Sequence, residues 1–164
     1  LGVHQNIIKR SLKKFSGVQR RMTKIFSKGK NDFYDDYAHH PTEIKSILES
    51  VKNVYKDRKV ISVFEPHRYS RIHSLKKEFS KSFSKSNLVL LCPLYAAGEK
   101  KDPGFKMIEF ARQISKMSKT QVIIIEDYKD LEKYFKANLL NDEIIIGMGA
   151  GTISKHMRNL KTSL

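Results

Sequence analysis

Apolar positions along this chain follow two alternating rhythms. In one they recur every three or four residues, the spacing of a single helix face. In the other they crowd into short runs rich in Val and Ile, the composition of strands. Ile8, Leu12 and Phe15, set among basic residues, predict an amphipathic helix over 4–15. Two strands over 22–26 and 32–37, joined by Ser27-Lys28-Gly29-Lys30, read as a hairpin. Pro41 opens a helix over 41–56, with Glu43 in its positive first turn and Ile44, Ile47, Leu48 and Val51 as its stripe. A strand over 59–64, a helix over 70–83 and a strand over 87–92 follow. Beyond a loop over 93–103, the pattern predicts a helix over 104–116, a strand over 121–125, a helix over 128–139, a strand over 143–148 and a helix over 151–160.

Runs such as Val122-Ile123-Ile124-Ile125 are apolar without alternation, as expected of strands covered on both faces. Repeated strand–helix units with right-handed crossovers predict a Rossmann-like α/β fold. Its sheet is open and mostly parallel, of about six strands with helices on both faces, after the N-terminal hairpin. The 164 residues fit one domain, and 40% apolar with 30% charged residues excludes a disordered tail or a membrane protein. The longest apolar runs, over 88–92 and 144–147, fall far short of the roughly 18 residues of a membrane span. No N-terminal stretch reads as a secretory signal. The single cysteine, Cys92, excludes an internal disulfide and fits a reducing compartment, so a cytoplasmic location is expected.

Lys and Arg number 32 against 17 Asp and Glu, a net charge of +15. Such an excess admits an anionic partner, and a basic nucleic-acid-binding module is the competing reading. The lysines, however, are scattered. The densest group, Lys76, Lys77, Lys81 and Lys85, is interleaved with Ser on a predicted helix, the habit of a solvated surface.

Ligands of open α/β sheets bind beyond the carboxyl ends of the strands. Four segments of unusual composition fall there: Asp35-Asp36-Tyr37-Ala38-His39-His40-Pro41-Thr42-Glu43, Phe64-Glu65-Pro66-His67-Arg68-Tyr69-Ser70-Arg71, Tyr95-Ala96-Ala97-Gly98-Glu99 and Gly147-Met148-Gly149-Ala150-Gly151-Thr152. Arg68 and Arg71, three apart at a helix start, can present two guanidinium forks to a carboxylate or phosphate. Asp36 is either a functional carboxylate or a cap for the helix at Pro41. His39 and His40 are adjacent, so one at most faces a shared cleft. With His67 they lack metal-ligand spacing, and no metal site is expected. Gly147-x-Gly149-x-Gly151 resembles a dinucleotide fingerprint, but no acidic residue follows it about 20 positions on, which argues against an NAD enzyme. A tight strand-to-helix turn accounts for the glycines equally well. No Gly-x-x-x-x-Gly-Lys-Ser/Thr phosphate loop occurs.

The first two of these segments resemble signatures of the Mur ligase family of peptidoglycan synthesis. Phe15-Ser16-Gly17-Val18-Gln19-Arg20-Arg21, Tyr95 to Glu99 and Gly149-Ala150-Gly151 agree in order and spacing. The tripeptide-recycling members share the Asp-x-x-His-His-Pro-Thr type of motif but differ at Pro66-His67-Arg68-Tyr69, so the alanine-adding members are favoured. The resemblance implies a chain made of the last helix of a central ATPase domain over 1–16 and a C-terminal domain over 17–164. It further implies an ATP- and Mg²⁺-dependent reaction in which the carboxylate of UDP-N-acetylmuramate becomes an acyl phosphate and is attacked by L-alanine. By that resemblance Arg21 and Asp36 lie on the ATP side. Tyr37, His39, Arg68 and Arg71, with His67 and the 96–99 loop as weaker candidates, line the L-alanine pocket. The missing phosphate loop implies that this piece is inactive alone and holds no cofactor tightly.

Overall fold

A computed structural model describes residues 2–14 and 18–164. The expected end of the first helix at Phe15, the start of the Gly17 motif and the domain boundary at 16/17 lie outside the described residues. Helix α1 (Gln5–Lys14) forms as the 3.6-residue pattern predicts and buries none of its side chains. The hairpin follows as β1 (Thr23–Lys28) and β2 (Asn31–Asp36), closed through Gly29 at φ 59°, a conformation that glycine adopts without steric cost. The remaining elements are α2 (Pro41–Val54), β3 (Lys59–Phe64), α3 (Tyr69–Ser74), α4 (Lys76–Lys81), β4 (Leu88–Leu91), α5 (Met107–Ser118), β5 (Gln121–Ile124), α6 (Tyr128–Asn138), β6 (Glu143–Met148) and α7 (Ile153–Ser163).

Three boundaries depart from expectation. The helix over 70–83 is two helices, broken at Leu75 (φ −119°, ψ 23°), and no proline or glycine marks the break. Helix α5 starts at Met107 rather than at 104, because the Asp102 carboxylate accepts the Gly104 N–H at 2.8 Å and turns the chain first. Helix α7 starts at Ile153, for a reason that lies in the site below.

The strands form one sheet in the order β1-β2-β6-β3-β4-β5, parallel throughout except for the β1–β2 hairpin. Side chains alternate between the two faces. Val60 and Phe64 of β3 join Ile144 and Ile146 of β6 beneath α2, α4 and α5, while Ile61, Val63 and Ile145 pack under α6 and α7. Gly147 is required on that second face, where an added Cβ would lie 2.4 Å from Met157 of α7. Burial on both sides explains the uninterrupted apolar runs.

This topology fixes where a ligand can sit. The chain leaves β2 and β3 towards the helices of one face, but leaves β6, which lies between them, towards α7 on the other. Neighbouring loops that part in opposite directions open a crevice at the strands' carboxyl ends. Among the described residues no helix is long and apolar enough to cross a membrane.

Candidate functional site

The crevice is bordered by the ends of β2, β3 and β6 and by the 20–22 segment that precedes the hairpin. Arg20 and Met22 both have positive φ, 58° and 44°, which non-glycine residues adopt only when held. The Arg20 carbonyl accepts the Tyr37 N–H at 2.8 Å, and the Met22 N–H donates to Asp36 Oδ2 at 2.7 Å. Asp36 Oδ1 accepts the Ala38 N–H, also at 2.7 Å, and the residue is 1% exposed. Burial pushes its carboxyl up, against the opposing pull of those two N–H groups. Asp36 is therefore a clasp between β2 and the 20–22 segment. It does not cap α2. His40 does, accepting the Thr42 N–H at 3.4 Å while Glu43 accepts the N–H groups of His39 and His40 at 3.0 and 3.1 Å.

The two arginines of the first motif have different fates. Arg20 donates through Nη2 to the Gly149 carbonyl at 2.5 Å, and its guanidinium lies 4.6 Å over the Tyr37 ring. Its Nε stands 3.7 Å from Asp35, which is fully buried and also takes Ser154 Oγ at 2.5 Å and Arg158 Nη2 at 3.2 Å. Arg21 is exposed and makes no ion pair among the described residues, with its guanidinium 5.9 Å from the Tyr37 ring centre. Arg20 is committed to the fold, and Arg21 remains available to a ligand.

Across the crevice runs a row of rings. Tyr37 and His39 are 5.1 Å apart, His39 and His67 5.8 Å, and His67 and Tyr95 5.5 Å. His39 donates through Nδ1 to the Tyr37 carbonyl at 2.9 Å, and Arg71 Nη1 donates to His67 Nδ1 at 3.2 Å. Burial and then the charges of Arg71, His39 and Arg68 push the His67 imidazole down, in keeping with its Nδ1 accepting from Arg71. Arg68 has φ 68° and ψ 131°, a strained backbone held by its N–H to the Tyr95 carbonyl at 2.9 Å, while Tyr95 donates to the Pro66 carbonyl at 2.8 Å. Its side chain is exposed and unpaired among the described residues. Glu99 caps α3, accepting the Ser70 N–H at 3.1 Å and the Ser70 hydroxyl at 2.5 Å, and these bonds hold its carboxyl below the usual range.

Thus Tyr37, His39, His67, Arg68 and Arg71 come together on one edge, with Arg21 at its end. Asp36 and Glu99 lie at the same edge, engaged in holding backbone. Two features were not legible from residue spacing. One is Glu65, fully buried behind this row. The other is a largely apolar hollow of about 490 Å³ beside it, walled by Tyr69, Leu94, Phe105 and Ile124. The glycine run serves the turn, since a Cβ on Gly151 would stand 2.5 Å from both Glu65 Oε1 and Tyr95 Cγ. Cys92 is fully buried and burial pushes its thiol up, so it is no nucleophile. No group of three metal-ligating side chains occurs among the described residues. The arrangement can grip an anion through charge-assisted bonds, with two guanidinium forks and an imidazole around an open crevice.

Fold and site define an α/β domain that carries an arginine pair at the topological switch point of its sheet. The family model "Mur ligase, glutamate ligase domain" matches residues 20–151, and the chain belongs to that family. It is 53% identical over 160 residues to the UDP-N-acetylmuramate–L-alanine ligase of Pelagibacter ubique, covering 98% of this chain and 34% of that protein. It is 40% identical to the enzyme of the same name from Brachyspira hyodysenteriae, covering 93% of this chain and 34% of that one. The crystal structure of UDP-N-acetylmuramate–alanine ligase from Thermotoga maritima shares the fold, with a TM-score of 0.76 at 23% identity over 98% of this chain and 33% of that one. The chain thus spans about a third of the length of the curated relatives it matches.

Proposed function

We propose that this chain is the amino-acid-binding domain of an ATP-dependent UDP-N-acetylmuramate–L-alanine ligase of the bacterial cytoplasm. The observation that carries the reading is the convergence of Arg68, Arg71, His39 and His67 at the switch point, in a chain 53% identical to a ligase of that name. Arg68 and Arg71 hold the L-alanine carboxylate, because a planar guanidinium makes two parallel charge-assisted bonds where Lys makes a point contact. His39 lies at the same crevice, while Tyr37 and His67 wall the pocket. Held by its carboxylate, the amino acid presents its amine to the activated muramate carboxyl group. Attack forms the amide C–N bond as the acyl–phosphate C–O bond breaks, phosphate leaves and the amine nitrogen releases a proton. Fixing the amine in position turns a bimolecular encounter into a local one.

Arg21 faces the nucleotide side. Asp36 serves that side through the Met22 and Ala38 backbone it holds, rather than by reaching the nucleotide itself. ATP and Mg²⁺ supply the activation of the muramate carboxylate. This chain contains no phosphate loop.

Arg71→Lys in the full-length protein tests the assignment. Loss of a charge-assisted bond costs about 1.5–3 kcal/mol, so kcat/KM for alanine falls roughly 10- to 150-fold while the KM for ATP is unchanged. Unchanged alanine KM and kcat would remove Arg71 from the substrate site.

A further inference from the structure

Glu65 follows β3 immediately, and its backbone N–H donates to the Met148 carbonyl at 2.9 Å, extending the pairing of β3 with β6 by one step. Its carboxylate turns towards the β6 turn and is fully buried. Oε2 accepts the Thr152 N–H at 3.1 Å, the Thr152 hydroxyl at 2.7 Å and the Tyr128 phenol. Thr152 occupies the N-cap position of α7; its side chain makes no cap bond, and its hydroxyl donates to Glu65. Tyr128 is in turn stacked flat on His156 of α7, with ring centres 3.5 Å apart. One carboxylate oxygen therefore ties the start of α6 and the start of α7 to the end of β3.

The other oxygen, Oε1, is buried without a partner. It abuts Gly151 closely enough that a Cβ there would fall 2.5 Å from it, and the same Cβ would meet the Tyr95 ring. Tyr95 stacks on His67 and supplies the carbonyl that holds the Arg68 N–H. His67 receives Arg71. A continuous chain of contacts thus runs from Glu65, past Gly151 and Tyr95, to both arginines. A buried carboxylate is tolerated only when donors converge on it, and that convergence fixes the donors in turn.

We infer that Glu65 is the positioning residue of the arginine site: its carboxylate locks the 149–152 turn and Tyr95 against the 66–68 segment, and so sets the Arg68 backbone from which its guanidinium extends and, through His67, where the Arg71 guanidinium stands. Only the kinetic arm of its test rests on the alanine reading above.

Two variants separate acceptor from bulk. Glu65→Met keeps the length and removes every acceptor. Glu65→Gln keeps one oxygen for Thr152 and Tyr128 and places its NH₂ where Oε1 has no partner. In ¹⁵N-arginine-labelled chain, the Nε–Hε resonances of Arg68 and Arg71 shift in Glu65→Met and hold in Glu65→Gln, with Arg112 on α5 as the unmoved control. In the full-length protein, Glu65→Met raises the alanine KM by about tenfold, the ATP KM is unchanged, and Glu65→Gln restores the wild-type value. Unmoved arginine resonances in folded Glu65→Met overturn the inference. Shifted resonances with an unchanged alanine KM uphold the positioning role and remove the alanine assignment instead. If Glu65→Met does not fold, Tyr128→Phe withdraws one donor and keeps the stack on His156. It shifts the same two resonances less, and no shift there overturns the inference.

Discussion

Replacing Asp36 by Asn asks whether this carboxylate holds the backbone or is free to act on a ligand. It accepts the Met22 and Ala38 N–H groups at 2.7 Å each, one per oxygen, and is 1% exposed. Asn brings a single acceptor oxygen, and its NH₂ group must face one of the two N–H donors. One buried amide is left without an acceptor, a loss of about 1–3 kcal/mol. Removing a desolvated charge returns part of this, since burial is the strongest influence on Asp36. The net expectation is about 1 kcal/mol of destabilisation for Asp36→Asn and roughly 3 kcal/mol for Asp36→Ala, which orphans both amides. For a domain of this size that corresponds to about 2–4 °C in Tm for the Asn variant. Urea unfolding of the chain followed by circular dichroism, with no ligand present, measures it directly. An Asn variant within about 0.5 kcal/mol of wild type would show that the two short bonds carry little, and would return Asp36 to the nucleotide side as a direct contact.

Gly151→Ala drives a Cβ to 2.5 Å from Glu65 and Tyr95; overpacking of this kind costs about 1–3 kcal/mol, read by the same urea titration. Asp32 should shape the acid limb of stability. Burial raises its carboxyl, but bonds from Lys24, Arg58 and Ser27 outweigh this and hold it at about 2. A depressed carboxylate stabilises the fold above its unfolded value near pH 4 and loses that contribution as pH falls towards 2. Arg58→Met therefore flattens the pH dependence between about 4 and 2 by roughly 1 kcal/mol after solvent screening. Stability curves of the two proteins that stay parallel through that window would refute it. Finally, the chain alone should release no phosphate from ATP in the presence of UDP-N-acetylmuramate and L-alanine, because it has no phosphate loop. Substrate-dependent turnover by the purified chain would contradict this.

The strands were legible because a strand covered on both faces leaves an uninterrupted apolar run, as at 122–125 and 144–146. The clustering of Tyr37, His39, His67, Arg68 and Arg71 was legible because all follow strands that a parallel sheet must align. The partners of individual charges were not. Arg20 and Arg21 are equivalent as residues, and only the Gly149 carbonyl and Asp35, brought near by β6 and β2, commit the first of them. Arg58 gave no signal either. It reaches the Lys30 and Glu143 carbonyls at 2.6 and 3.0 Å, contacts that exist only once β6 lies beside the hairpin. The break at Leu75 has no local cause in its residue types.

The position of β6 also bears on how the chain is made. It is the last strand of this sheet to leave the ribosome, yet it lies third in it, between β2 and β3. Until Glu143–Met148 emerges, the nascent chain can assemble the β1–β2 hairpin and the β3–β4–β5 ladder, but each carries an open row of unpaired backbone groups where β6 will lie. Nothing joins these halves in register before then, and the carboxylate of Glu65 has no Thr152 to receive. Insertion of β6 pairs both rows at once over a long sequence separation, which makes it the expected slow step of folding. A chain stalled before this strand would expose two adhesive edges, and the arginine crevice would form only as they close.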